Sequence, residues 1–280
     1  VPSKRTVAAT VTLVRHADKI SSPASAILPV VYPYLDHDGP IAMAHRGGAF
    51  HPALIGYENS MHAFEHAVGL GYRYLETDLH ATSDGEVVAF HDHRLDRVTD
   101  RAGVVSQLPW SEVRKARING HEPIPLLSEV LEHFPEIRLN LDIKAGNGVL
   151  PTAEVLRKLD AVDRVCVSSF SQARVWRIRR ELGERLATGF GQQEIARLRF
   201  APYRLNSPGA CLQIPEVYGR IRVLTPGLLR RAHALGKQVH VWTVDDPADM
   251  HRLLDAGVDG LITDRTDILR DVLIDRGQWW

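Results

Sequence analysis

The sequence predicts an α/β chain folded as a TIM-type (β/α)8 barrel. Three observations carry that reading. From Ile41 onward, short apolar runs alternate with longer segments of helical period, the pattern of repeated βα units around a parallel sheet. Charged and polar residues recur at the C-terminal ends of those runs, where barrel active sites are built. A length of 280 residues suits one such domain with a full core, without disulfide or metal staples.

The elements follow in order. Residues 1–40 read as an N-terminal arm, with one apolar segment (Val7–Val14) and then Ser, Pro and Ala without period; residues 41–280 read as the barrel. Strands are expected at Ile41–His45, Tyr74–Leu79, Val87–His91, Arg138–Lys144, Val165–Ser169 and Leu186–Phe190, then at Cys211–Ile214, Gln238–Val244 and Gly260–Thr263. Helices are expected at Ser60–Gly71, Leu126–Phe134, Ser171–Gly183 and Pro226–Gly236; Gly71 and Gly236 stand where a helix would stop. Nine candidates for eight strands leave one as a side element. The second and third candidates are joined by a helix-free link, "HATSDGE". Seven extended residues reach roughly 25 Å, enough to run back along a five-residue strand of about 17 Å. The link is thus either a helix-free parallel crossover or, in the ordinary reading of so short a connection, a hairpin.

Composition limits the partners. The 34 basic and 34 acidic residues cancel, so no broad field favours nucleic acid or an anionic membrane, and an anionic ligand needs a local site. Cys166 and Cys211 fit no CxxC pattern and lie in apolar runs, as core thiols of a reducing compartment do. The apolar stretch Ala26–Leu35 is broken by Pro29 and Pro33 and is too short to span a bilayer, so no stable membrane insertion is expected. No basic-apolar leader stands out. A cytoplasmic location is expected, with a trimmed secreted precursor left open by the initial Val.

Chemistry gathers at the strand ends. Glu76 and Asp78 in "ETD" alternate, so both carboxylates share one face. Two acids at a buried strand end repel unless a cation lies between them, and oxygen-only ligation favours Mg²⁺ or Ca²⁺. In "LNLDIK", Asn140, Asp142 and Lys144 share one face while Leu139, Leu141 and Ile143 take the other. A third metal carboxylate beside a phosphate-facing lysine would account for that pair, as would a structural Asp–Lys contact. His45 and His91 each end an apolar run, and two histidines facing one substrate can serve as base and acid at phosphorus. After His45, Arg46 can fork onto phosphate oxygens, and Gly47-Gly48 lets the backbone turn closely around a ligand.

In order along the chain, AHRGG (44–48), ENS (58–60), YLETDLHATSDGEVVAFHD (74–92), LDRVTDRAG (95–103), IPLLSEVL (124–131), LDIK (141–144), VSSF (167–170), VHVWTV (239–244) and GVDGLITD (257–264) resemble the glycerophosphodiester phosphodiesterase family. The resemblance spans about residues 41–269. It implies a TIM-type barrel, one divalent cation (Mg²⁺ or Ca²⁺) and hydrolysis of a small-molecule glycerophosphodiester to sn-glycerol 3-phosphate and an alcohol. Position by position, it implies His45 and His91 as the acid/base pair and Glu76, Asp78 and Asp142 as metal ligands. Arg46, Lys144, Glu58 and Asn59 fall in the phosphate and metal surroundings, and Trp242 is the ring lining the substrate pocket. Asp142 stands where the family usually has Glu, one methylene longer. Residues 91–125 correspond to the stretch that covers the barrel mouth, and its shortness here implies an open mouth.

Two other readings stay beside this one: a lysophospholipase D or sphingomyelinase D-like enzyme, favoured by an apolar mouth, and a silent barrel, marked by a lost histidine or carboxylate. The upstream "TLVRHADK" resembles the Arg-His motif of histidine phosphatases, but 40 residues leave no room for that domain. Val7–Val14 is expected to cover the barrel bottom or another subunit, away from His45.

Overall fold

A computed structural model describes residues 32–201 and 207–280. The segment Val7–Val14 and the Arg15-His16 pair lie outside the described residues. Among those residues, eight parallel strands form the barrel: β1 (Ile41–His45), β2 (Tyr74–Ala81), β3 (Arg138–Ile143), β4 (Val165–Ser168), β5 (Ala187–Thr188), β6 (Cys211–Pro215), β7 (Gln238–Trp242) and β8 (Gly260–Thr263). Pairing follows chain order, with β1 also bonded to β8. The last gap, between β5 and β6, is closed by a parallel bridge from Gly189 to Cys211.

The ninth candidate is the side element. Val87–Ala89 pairs antiparallel with the end of β2, Leu79 opposite Ala89 and Ala81 opposite Val87. The helix-free link is therefore a hairpin, turning at Gly85 with φ 93° and held by Thr82 Oγ1, which donates to Asp84 Oδ1 at 2.6 Å. At eight residues, β2 is long enough to offer an edge beyond its pairing with β1. The true route to β3 runs through residues 91–125 and a helix at Leu127–His133.

Helices stand between the strands: α1 (Met61–Gly69), α2 (Leu127–His133), α3 (Val149–Lys158), α4 (Gln172–Leu182), α5 (Gln192–Phe200), α6 (Pro226–Ala234), α7 (Pro247–Asp255) and α8 (Thr266–Asp275). Their starts have local causes. Ser60 Oγ accepts from Ala63 N at 3.1 Å and Thr225 Oγ1 from Leu228 N at 3.2 Å, so each caps the first turn. Leu126 cannot cap with its side chain; Glu129 reaches back to its N–H at 2.8 Å instead. No helix among the described residues is long and apolar enough to cross a membrane.

Strand alternation sorts the core into two shells. Leu139, Leu141 and Ile143 face outward into the cluster shared with the helices, while Ile41, Met43, Tyr74, Cys166 and Cys211 pack inside with Tyr34. Tyr34 is fully buried, meets the Tyr74 ring edge-on at 5.4 Å and accepts the Tyr74 hydroxyl on its backbone oxygen at 2.8 Å. The two thiols are free and buried, 3.8 Å apart. Apolar side chains fill most of one end, with the buried His240 hydrogen-bonded to Gln238 among them, and the acids gather toward the C-terminal strand ends, which positions the site.

Candidate active site

The site begins where β1 ends. Arg46 and Asn59 both adopt left-handed backbone, at φ 52° and 58°, and the Asn59 N–H donates to the Arg46 carbonyl at 2.9 Å. Such conformations are costly for residues with a Cβ and gather at functional sites. Gly47 and Gly48 serve packing rather than a ligand. A Cβ on Gly47 would meet Ala63 at 2.7 Å, and one on Gly48 would meet Thr266 at 2.8 Å. The double glycine lets the turn press against α1 and α8.

Register brings the acids together. His45 lies beside Glu76, Glu76 beside Asn140, and Asp78 beside Asp142. Lys144 Nζ sits 2.6 Å from both Asp78 Oδ1 and Asp142 Oδ2. Asp78 also accepts from Asn59 Nδ2 at 3.0 Å, and Arg46 Nε lies 3.1 Å from Asp78 Oδ2, close enough to pair but off the line of a hydrogen bond. Burial opposes the Asp78 charge, but Lys144 and Arg46 outweigh it and hold the carboxyl below its ordinary range. Glu76 forms a direct ion pair with neither cation and accepts the Arg46 backbone N–H at 3.1 Å. Burial and the neighbouring Asp78 push it up to about 7, against the pull of His45. Burial also raises Asp142, although Lys144 opposes the shift.

Among the described residues, no three His, Cys, Asp or Glu side chains gather closely enough to hold a metal ion as they stand. The expected convergence of Glu76, Asp78 and Asp142 is thus replaced by a lysine clasp, because Lys144 supplies the nearest positive charge to two of them. The donor set still fits a hard divalent cation. Every candidate donor is a carboxylate oxygen, Asp142 Oδ1 is buried without a hydrogen-bond partner, and burial beside Asp78 disfavours the Glu76 charge.

Each candidate histidine carries its own carboxylate. His45 Nδ1 lies 2.8 Å from Asp264 Oδ1, and His91 Nδ1 lies 2.6 Å from Asp92 Oδ1. Burial disfavours a charged His45, but Glu76 and Asp264 outweigh it and raise its pKa. Arg97 holds Asp92 through Nε at 2.6 Å, and with His91 it pulls that carboxyl down to about 2. The same guanidinium bonds both Glu58 oxygens, at 2.7 and 2.8 Å, and Glu58 in turn accepts from Arg46 Nη1 at 3.1 Å.

His45, Arg46, Glu76, Asp78, His91, Asp142, Lys144 and Trp242 all line one cavity of about 460 Å³. Glu58 and Asn59 do not. They stand behind Arg46 and Asp78 and orient them, because their polar ends are consumed by Arg97, Arg46, Asp78 and the Thr77 hydroxyl. Of residues 91–125, only His91 lines the cavity; the rest build a small core of their own around Leu95, Val105 and Ile118. The mouth is walled elsewhere, by α5 and by a hairpin pairing Val217–Tyr218 with Ile221–Arg222.

The sequence profile of the Glycerophosphoryl diester phosphodiesterase family matches residues 45–268. The chain belongs to this family. It is 44% identical over 255 residues to a Mycobacterium tuberculosis protein named "Probable glycerophosphodiester phosphodiesterase 2", covering 88% of this chain and 95% of that one. It is 28% identical over 271 residues to a lysophospholipase D of Homo sapiens, covering 82% of this chain and 85% of that one. In fold it is similar to an Oleispira antarctica phosphodiesterase solved with its product sn-glycerol-3-phosphate. That match has a TM-score of 0.71 at 23% identity and covers 84% of this chain and 97% of the other.

In this family member, sequence reasoning did not single out Asp264, Asp92 or Arg97. Asp264 follows β8 directly, the signal that singled out Glu76 and Asp78. Asp92 follows His91. Arg97 has no local signal, since its partners Glu58 and Asp92 meet only in the fold. Asn140, Ser168 and Gln213 were equally silent as a group; they form a polar patch beside the acids, where Gln213 Nε2 donates to Asn140 Oδ1 at 2.9 Å.

Proposed function

We propose that this chain hydrolyses glycerophosphodiesters to sn-glycerol 3-phosphate and an alcohol. One observation carries the reading: two histidines, each with a carboxylate on Nδ1, line the same cavity as a lysine, an arginine and three acids. Fixing Nδ1 leaves Nε2 of each ring for proton transfer. One histidine takes the proton of the attacking oxygen, and the other gives a proton to the departing alcohol. Arg46 and Lys144 stand where they can bond the non-bridging phosphate oxygens. A divalent cation, Mg²⁺ or Ca²⁺, held by Glu76, Asp78 and Asp142 would supply positive charge against those same oxygens. Asp264 keeps His45 in one orientation, and the Arg97–Asp92 pair does so for His91.

The test is direct. The purified protein is incubated with glycerophosphocholine, with Mg²⁺, Ca²⁺ or chelator, and released sn-glycerol 3-phosphate is measured. Release that depends on an added cation is expected. A folded protein that releases none from any glycerophosphodiester under all these conditions would overturn the reading.

A further inference from the structure

Eight of the eleven most exposed large apolar side chains among the described residues stand at the mouth of the barrel. Four of them line the cavity: Phe170, Phe200, Tyr218 and Ile221. The other four do not. Phe50 and Ile55 follow β1, Leu150 lies in the first turn of α3, and Val217 follows β6; they are 59%, 60%, 40% and 49% exposed. A ligand that fills the cavity leaves these four in water. Apolar side chains of this size, gathered at one end of a barrel, mark a surface that meets an apolar partner.

Charge decides which partner. α5 and residues 216–222 carry Arg197, Arg199, Arg220 and Arg222 against two acids, Glu194 and Glu216. Glu194 is buried and spent on Arg179, and Glu216 is shared by Arg222 and Arg252. Among the described residues, Arg197, Arg199 and Arg220 are left without an ion pair. The Arg199 guanidinium lies over the Phe200 ring at 5.0 Å, and Arg220 turns the hairpin between Tyr218 and Ile221. Apolar tips beside unpaired arginines match an anionic lipid surface, with its negative head groups over an apolar layer. The tips come from five separate segments. A folded partner would need one continuous surface shaped to all of them, whereas a fluid bilayer admits each where it stands.

We propose that the mouth face docks on an anionic lipid bilayer, with the 217–222 hairpin and the Phe200 end of α5 entering its interfacial layer. The docking goes beyond the phosphodiesterase reading and holds whichever diester is cleaved. It is peripheral and needs no spanning helix. Each arginine near an anionic surface strengthens binding roughly fivefold, so the three unpaired ones together contribute about a hundredfold. Salt screens that share and leaves the apolar share in place.

The experiment is flotation of the full chain with lipid vesicles. It reads binding without turnover, so it is decided even if no diester is cleaved. Vesicles of phosphatidylcholine mixed with phosphatidylglycerol should bind the protein about tenfold or more tightly than phosphatidylcholine alone, and added salt should weaken that binding. Val217→Glu and Arg220→Glu, both exposed positions on the hairpin, should each weaken it by roughly fivefold or more. Leu235→Glu changes a comparably exposed side chain at the opposite end of the barrel and should leave it unchanged. No binding to either vesicle, equal binding to both, or binding unweakened by either hairpin change would overturn the proposal. So would equal losses in all three variants. A dimer in sedimentation that Val217→Glu dissociates, with vesicles binding no form of the protein, would overturn it too, since a second copy would then cover the face. The comparison of the two vesicle types uses the wild type alone and stands even if a variant fails to fold.

Discussion

Asp264 Oδ1 lies 2.8 Å from Nδ1 of His45, although 219 residues separate them. β8 closes the barrel against β1, Thr263 pairing with Ala44, so the residue after β8 falls beside the end of β1. Asp264→Asn leaves the shape intact while removing the charge that holds the imidazole. We expect kcat to fall by roughly 10²-fold with KM changed little, and circular dichroism to match the wild type. An unchanged kcat would make the contact merely structural.

His45→Ala and His91→Ala should each lower turnover by about 10²-fold or more, since each removes a proton-transfer group. Thermal unfolding of both variants should remain cooperative. Retention of near-full activity by either would demote that histidine.

Cation dependence should concentrate on three side chains. Chelator should abolish hydrolysis, and Mg²⁺ or Ca²⁺ should restore it. Glu76→Gln, Asp78→Asn and Asp142→Asn should each raise the cation concentration needed by about tenfold or more, read by calorimetric titration of the metal as well as by rate. Equal metal affinity in all three variants would contradict the assignment.

Tyr34 plugs the end of the barrel remote from the catalytic cavity. Removing a fully buried aromatic ring costs about 3–5 kcal/mol, so Tyr34→Ala should lower the denaturation midpoint strongly. The folded fraction should keep its kcat, because Tyr34 does not itself line the cavity. His16→Ala, in the arm, should leave hydrolysis within a few-fold of wild type.

Acid stability should depend on Glu194. Its carboxylate bonds Arg179 at 2.8 Å, the Ser207 hydroxyl at 2.6 Å and the Gly191 N–H at 2.7 Å. Burial opposes its charge, but these donors outweigh burial and lower its pKa. A carboxyl whose folded pKa lies below its unfolded value of about 4.3 contributes full stability above that value. The contribution is lost as pH falls through the folded pKa. Melting temperatures of wild type and Glu194→Gln should therefore differ at pH 6 and converge toward pH 3; a constant gap would refute the linkage.

The sequence by itself determined what depends on near neighbours. Period-two alternation placed Glu76 with Asp78, and Asn140 with Asp142 and Lys144, on one strand face, because successive side chains must point to opposite sides of a pleated strand. Apolar runs located all eight barrel strands, and the ordered motifs pointed to the family. Tertiary structure decided what depends on closure. Only the register between β2 and β3 set Lys144 between Asp78 and Asp142; spacing alone put all three acids around one point. Only the free edge of β2 made Val87–Ala89 a hairpin strand, since a short link permits either direction until a pairing edge selects one. Asp264, Arg97 and the apolar tips around the mouth were silent for the same reason. Each acts across segments tens to hundreds of residues apart, and no local pattern records which distant side chain the barrel will bring alongside.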